Sequence, residues 1–210
     1  MSWTVWLSLL TASIVISFTP GAGAINTMSN SLREGWKRSA WGVIGQQLAL
    51  IVHVIIVAAG VGLLVARSPL LFDAIRYAGA AYLAFLGIRL IASRPEGIEP
   101  DAADDAPRVK ESRWSMIRRG FWVNMLNPKA IVFFLAFMPQ FIRLDRPPVP
   151  QYLILIATVV VVDVIVMWFF FAAAARPFQR YTRTVRGQRT LNAVFGVLFL
   201  AMAVLLLFLH

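Results

Sequence analysis

Apolar residues fill this chain in blocks about as long as a bilayer core is thick, and charged or proline-marked breaks separate the blocks. The blocks predict membrane spans near 3–28, 40–66, 69–92, 116–141, 151–175 and 190–210. The expected fold is all-α, a polytopic membrane protein with six transmembrane helices. Between the third and fourth spans, Arg94 to Arg113 holds Pro95, Pro100, Pro107 and a cluster of Glu and Asp, the composition of a solvated linker. The chain is therefore expected to be one membrane domain, 1–210, with a first half at about 1–93, a linker at about 94–114 and a second half at about 115–210.

Basic residues orient the helices. Loops 1–2, 3–4 and 5–6 carry Arg33, Lys37 and Arg38, then Arg89, Arg94, Arg108, Lys110, Arg113, Arg118 and Arg119, then Arg176, Arg180, Arg183, Arg186 and Arg189. The opposite loops carry only Arg67, Arg76, Arg143 and Arg146. Loops rich in Lys and Arg stay in the cytoplasm, so both termini are expected outside it. Three helices per half further imply that homologous halves insert with opposite topology, an inverted 3+3 repeat. Pro20 interrupts the first helix of one half and Pro128 that of the other; an ionisable residue follows in the next helix of each, His53 and Asp163.

Composition supports the membrane reading and removes competitors. Soluble chains are about 45–50% apolar and about 25% charged, whereas this one is 59% hydrophobic and 14% charged, an excess that lipid must solvate. The net charge of +10 sits at helix ends, which argues against a nucleic-acid surface. With no cysteine, disulfides, thiol catalysis and thiolate metal sites are excluded. The apolar run ending near Ala22-Gly23-Ala24 has no Lys or Arg before it and is read as a retained first helix, not a signal peptide.

Polar residues inside the spans are the candidate chemistry. Asp163 is the one acidic residue deep in an apolar run, and its helical neighbours Val159, Val160, Met167 and Phe170 offer it no partner. Burial penalises its charged form, which suits a proton carrier; a structural carboxylate bonded to a neighbouring helix is the alternative. In the second span Gly42, Gln46, Ala49, His53 and Gly60 form one small, polar stripe facing the bundle interior or a wet cavity. For His53, a satisfied buried histidine and a functional one are both open. Pro20 and Gly21 break the first span, and Asn124-Met-Leu-Asn127-Pro128-Lys129 repeats the device in the fourth. Backbone freed at membrane depth must face protein or a wet cavity, so paired breaks mark either a binding site or simple packing kinks.

Four stretches, Phe18-Thr-Pro-Gly through Gly35, Ala78 through Gly87, Asn124 through Lys129 with Met138-Pro-Gln-Phe141, and Val162-Asp163, occur in the order expected for the lysine-exporter (LysE) superfamily, and the chain resembles its RhtB branch over nearly its whole length. The resemblance implies export of amino acids across the bacterial inner membrane. Many members have Pro-Gly-Pro where this chain has Pro20-Gly21-Ala22; the form here is similar to members that export homoserine, homoserine lactone and threonine. A small neutral amino acid is favoured over lysine.

No G-x-x-x-x-G-K-[ST] motif is present, so exchange for protons is the expected energy source. Asp163 is the expected proton-coupling residue. Substrate is expected to meet Ser17, Pro20, Gly21, Asn26, Gln46, His53, Asn124, Asn127, Pro128 and Lys129. Helix-break amides would hold its carboxylate; Ser17, Asn26, Asn127 and carbonyls near the prolines would receive its ammonium or hydroxyl. The expected partners are a small amino acid, protons and the lipid bilayer, with a homo-oligomer left open; no cofactor and no metal are expected. A cation exporter of the same superfamily is the alternative, although hard cations want several oxygen ligands and one buried carboxylate is available. A membrane-embedded enzyme lacks ingredients, since His53 and His210 are the only histidines.

Overall fold

The computed structural model describes residues 1–67, 69–93, 110–143, 145–182 and 184–208. Most of the expected linker, 94–109, and His210 lie outside the described residues. The described residues form helices and connections with no strand, in an all-helical polytopic membrane fold. Among the described residues four helices are long and apolar enough to cross a membrane, and the number rises to six where each of two bent helix pairs is one span.

The first span is α1 (Trp3–Phe18) followed by α2 (Ala22–Glu34), bent by 56° at Thr19, Pro20 and Gly21. Proline at 20 has no N–H to offer the Ile16 carbonyl, so the helical ladder stops there. Gly35, at φ +87°, ends α2 and turns the chain directly into α3 (Trp36–Arg67). That turn lets the first span run on to Glu34 and starts the second four residues earlier than the hydrophobic pattern suggests. α4 (Pro69–Ala92) coincides with its predicted span.

The second half repeats the bend with different chemistry. α5 (Arg113–Met125) ends at Leu126, and Asn127 caps α6 (Pro128–Val132) by accepting the Lys129 amide at 3.1 Å, with a 54° bend between the two. Pro128 is thus the first residue of the new helix, where its missing N–H costs nothing. α6 widens into a π-helix over Phe133–Phe137 and closes in a 3₁₀ turn, Met138–Phe141. α7 (Pro148–Val164) likewise passes into a π-helix, Ile165–Ala172, one residue after the Asp163–Val164 step; α8 (Ala175–Thr182) and α9 (Val185–Phe208) complete the chain.

Glycines set how closely the halves meet. A methyl on Gly120 of α5 would overlap the Gly42 carbonyl of α3, and one on Gly45 would overlap the Ile117 carbonyl. α4 and α9 meet reciprocally: a methyl on Gly87 or on Gly196 would lie 2.7 Å from the other's carbonyl. The core between them is built of Leu9, Leu83, Phe134, Phe137, Met202 and Leu206, all buried. Ile55, Leu153, Val161, Phe169 and Val197 stay exposed, as lipid-facing positions must. The π-helix after α7 is held from outside by a reciprocal pair: Trp36 Nε1 donates to the Trp168 carbonyl at 2.9 Å and Trp168 Nε1 to the Trp36 carbonyl at 3.2 Å, with the rings stacked at 5.0 Å.

Gly120→Val is expected to collapse this packing, because the obstacle is backbone that cannot rotate away; the cost is about 1–3 kcal/mol or more. Gly60→Ala, with nothing within 4 Å of the added methyl, is expected to be neutral or mildly stabilising. Thermal denaturation of the two variants in detergent measures the contrast, and equal melting points would contradict it.

Candidate functional site

The two helix breaks face one another, with α3 and α7 completing a partly open chamber of about 40 Å³. Such a volume holds about one to three waters. Its polar wall is Ser17, Gln46, Asn124, Asn127, Lys129 and Asp163, and its apolar wall includes Leu50, Phe133, Phe134, Val159 and Met167. Six of the eleven residues expected at the site therefore share one cavity.

Asp163 is buried and fully engaged. Ser17 Oγ donates to Oδ1 at 3.1 Å, and Gln47 Nε2 donates to Oδ2 at 2.7 Å. Ser17, read above as a receiver of the substrate's ammonium, spends its proton on the carboxylate. Neither His53 nor Lys129 takes either oxygen. His53 lies behind Phe134, its ring stacked on that side chain at 5.5 Å, and Nδ1 meets the Ala49 carbonyl at 2.9 Å.

Lys129 lines the same chamber as Asp163 but spends its ammonium on the first break. Nζ donates to the Ile16 carbonyl at 2.9 Å and also to the Thr19 carbonyl. The lysine is 8% exposed, so these carbonyls stand in for the water that would otherwise solvate the charge. Gly21 leaves room for the arm, since a methyl there would sit 3.3 Å from Lys129 Cε. The chamber thus contains one carboxylate and one ammonium, on α7 and α6 of the second half, and each is hydrogen-bonded by neutral groups.

Amides join the two breaks. Gln46 Nε2 donates to the Gly23 carbonyl at 3.1 Å and to Thr27 Oγ1 at 3.0 Å; Asn124 Nδ2 donates to the Gln46 carbonyl at 3.1 Å; Asn127 Nδ2 donates to Asn124 Oδ1 at 3.4 Å. Asn26 is buried but faces α3 at Gly42 outside the chamber, and its Nδ2 has no partner. Pro20 and Gly21 shape the first break without lining the cavity, and Pro128 is exposed. Gly60 leaves the inner stripe: it is exposed, with nothing within 4 Å of where its methyl would sit.

Sequence reading overlooked Gln47, and it expected carbonyls near the prolines to meet the substrate's ammonium where the structure has those of Ile16 and Thr19 meeting Lys129. Gln47 carries a visible signal, a second amide beside Gln46 in an otherwise apolar run, but a single helical stripe admits only one of two adjacent residues. Among the described residues no group of three His, Asp or Glu side chains is placed to hold a metal ion.

A polytopic helical bundle with two bent helix pairs around a chamber lined by polar side chains defines a membrane transport protein. The chain belongs to the LysE type translocator family, whose model matches residues 14–209, and it is a transporter and not an enzyme. It is 38% identical to the homoserine/homoserine lactone efflux proteins of Salmonella typhi and Salmonella typhimurium over 210 residues, which covers 98% of this chain and 97% of each relative. A membrane protein of Vibrio cholerae is also 38% identical, over 96% of both chains. No solved structure matches.

Proposed function

We propose that the protein exports small neutral amino acids of the homoserine type, or their lactones, across the bacterial inner membrane in exchange for protons. The observation that carries this reading is Asp163, a buried carboxylate in a chamber bounded by both helix breaks, bonded only to the neutral donors Ser17 and Gln47. Such a carboxyl accepts and releases a proton without dismantling an ion pair. The relatives named above support amino-acid efflux and the homoserine class. Gln46, Asn124 and Asn127 are the polar groups left to hold substrate beside the charged pair.

The two halves, about 1–93 and 115–210, work in this proposal as an inverted pair within a single transport domain. Supporting it are the similar bends of 56° and 54° and the reciprocal Gly87–Gly196 contact. Pro20 and Pro128, His53 and Asp163, and Gly87 and Gly196 are moreover offset by nearly the same number of residues. Efflux of radiolabelled homoserine, threonine and lysine from loaded proteoliposomes tests the function. Homoserine is expected to leave fastest and with an imposed pH gradient; movement of lysine alone would overturn the reading.

Both termini lie in the periplasm under this proposal, on the strength of the basic residues in alternate loops. A reporter active only in the periplasm, fused after His210, is expected to give signal. Silence there, with signal from a fusion in the 94–109 linker, would reverse the orientation.

A further inference from the structure

The carbonyls of Ile16 and Thr19 are a product of the first helix break. Pro20 cannot donate to Ile16, and the flanking amides bond elsewhere, Thr19 to the Val15 carbonyl and Ile25 to the Gly21 carbonyl. Buried acceptors of this kind are costly unless a donor meets them. Here the donor is an ammonium brought in from the opposite break, at the end of the long, flexible side chain of Lys129.

We propose that the Ile16 and Thr19 carbonyls form a seat for a primary ammonium, held by Lys129 in the empty chamber and taken over by the substrate's own ammonium during transport. This rests on the amino-acid efflux proposed above and deepens it. A chamber of about 40 Å³ holds only a few waters and is too small for an amino acid, so a lining group must move before one is fully seated. Lys129 is the longest flexible arm in the wall, and its departure frees both volume and acceptors. A substrate ammonium carries the same three N–H donors and the same charge, so it replaces Lys129 without leaving the carbonyls bare. The two cations exclude one another from a shared seat, and the displaced Lys129 has Asp163 as the one carboxylate in the chamber wall.

The seat selects for a free ammonium and is indifferent to the carboxyl group. The two proposed substrates, homoserine and its lactone, share the first and differ in the second. In competition against labelled homoserine, homoserine methyl ester is expected to compete as well as homoserine itself, and N-acetylhomoserine at least about tenfold less well, the equivalent of losing one charged hydrogen bond. A second measurement reads the seat without transport. Lys129→Ala removes the side chain beyond Cβ, and n-propylammonium is the missing piece. It is expected to raise the melting temperature of purified Lys129→Ala, but not of wild type or Lys129→Met; tetramethylammonium, which has no N–H, is expected to do nothing. Stabilisation by propylammonium with no homoserine efflux would uphold the seat and reject the efflux reading. Equal competition by N-acetylhomoserine, or folded Lys129→Ala that ignores propylammonium, would overturn the seat; if Lys129→Ala does not fold, the competition series in wild type decides alone.

Discussion

Asp163→Asn is expected to leave the protein folded and abundant in the membrane while efflux driven by a pH gradient falls to the level of empty liposomes. The fold survives because the hydrogen bonds can be redistributed. Gln47 Oε1 has no partner, so its amide can turn over and accept from the new Asn side-chain amide, while Ser17 continues to donate to the remaining oxygen. Lys129 keeps its two carbonyl acceptors throughout. Exchanging one hydrogen bond for another costs less than about 1 kcal/mol. What is lost is the ability to bind and release a proton. Asp163→Leu provides the contrast: it strands the Gln47 and Ser17 donors at a cost of about 1–3 kcal/mol for each buried unsatisfied group, and should lower abundance as well as activity. The measurements are efflux against an imposed pH gradient and substrate exchange with no gradient. A wild-type rate and an unchanged pH response in the Asn variant would reduce Asp163 to a structural hydrogen-bonding group.

The parts of this architecture that were legible in the sequence are those with a backbone cause. Long apolar blocks have one solution in lipid, so the all-helical membrane fold followed, and a proline without an N–H had to break the first helix. The six chamber residues were found because polar side chains inside apolar blocks are rare enough to stand out. Lost from view was whatever depends on distance between helices. The pairing of Asp163 with Ser17 and Gln47 joins three separate spans, and nothing in their order announces it. Lys129 was expected to meet substrate, yet its arm crosses to carbonyls that are free only because another helix is broken. The π-helices at Phe133–Phe137 and Ile165–Ala172 were invisible for a different reason: in a continuous apolar run, three-and-a-half and four-and-a-half residue turns leave the same hydrophobic pattern. Gly60 was placed on the inner stripe by helical periodicity alone, which does not tell whether another helix packs at that point.

The two prolines look equivalent in the sequence, each in the first span of a half, and the structure separates them. Pro20 lies inside the break and denies Ile16 its backbone donor, so Pro20→Ala restores an N–H that can close the ladder and draw α1 and α2 into one straighter helix. That removes an acceptor from Lys129 and reshapes the chamber wall. Pro128 opens α6 at a position whose N–H has no helical partner, it is exposed, and the break there is made by the Asn127 cap. Pro20→Ala is therefore expected to cut efflux by at least about tenfold, the worth of one charge-assisted hydrogen bond at a transport step. Membrane abundance should stay near normal, because a continuous helix satisfies its own backbone in lipid. Pro128→Ala is expected to keep most of the activity. Initial efflux rates from proteoliposomes, normalised to reconstituted protein, compare the two. Equal losses in both variants, or a Pro20→Ala loss that tracks protein abundance, would mean that the first break relieves packing and does not build the site.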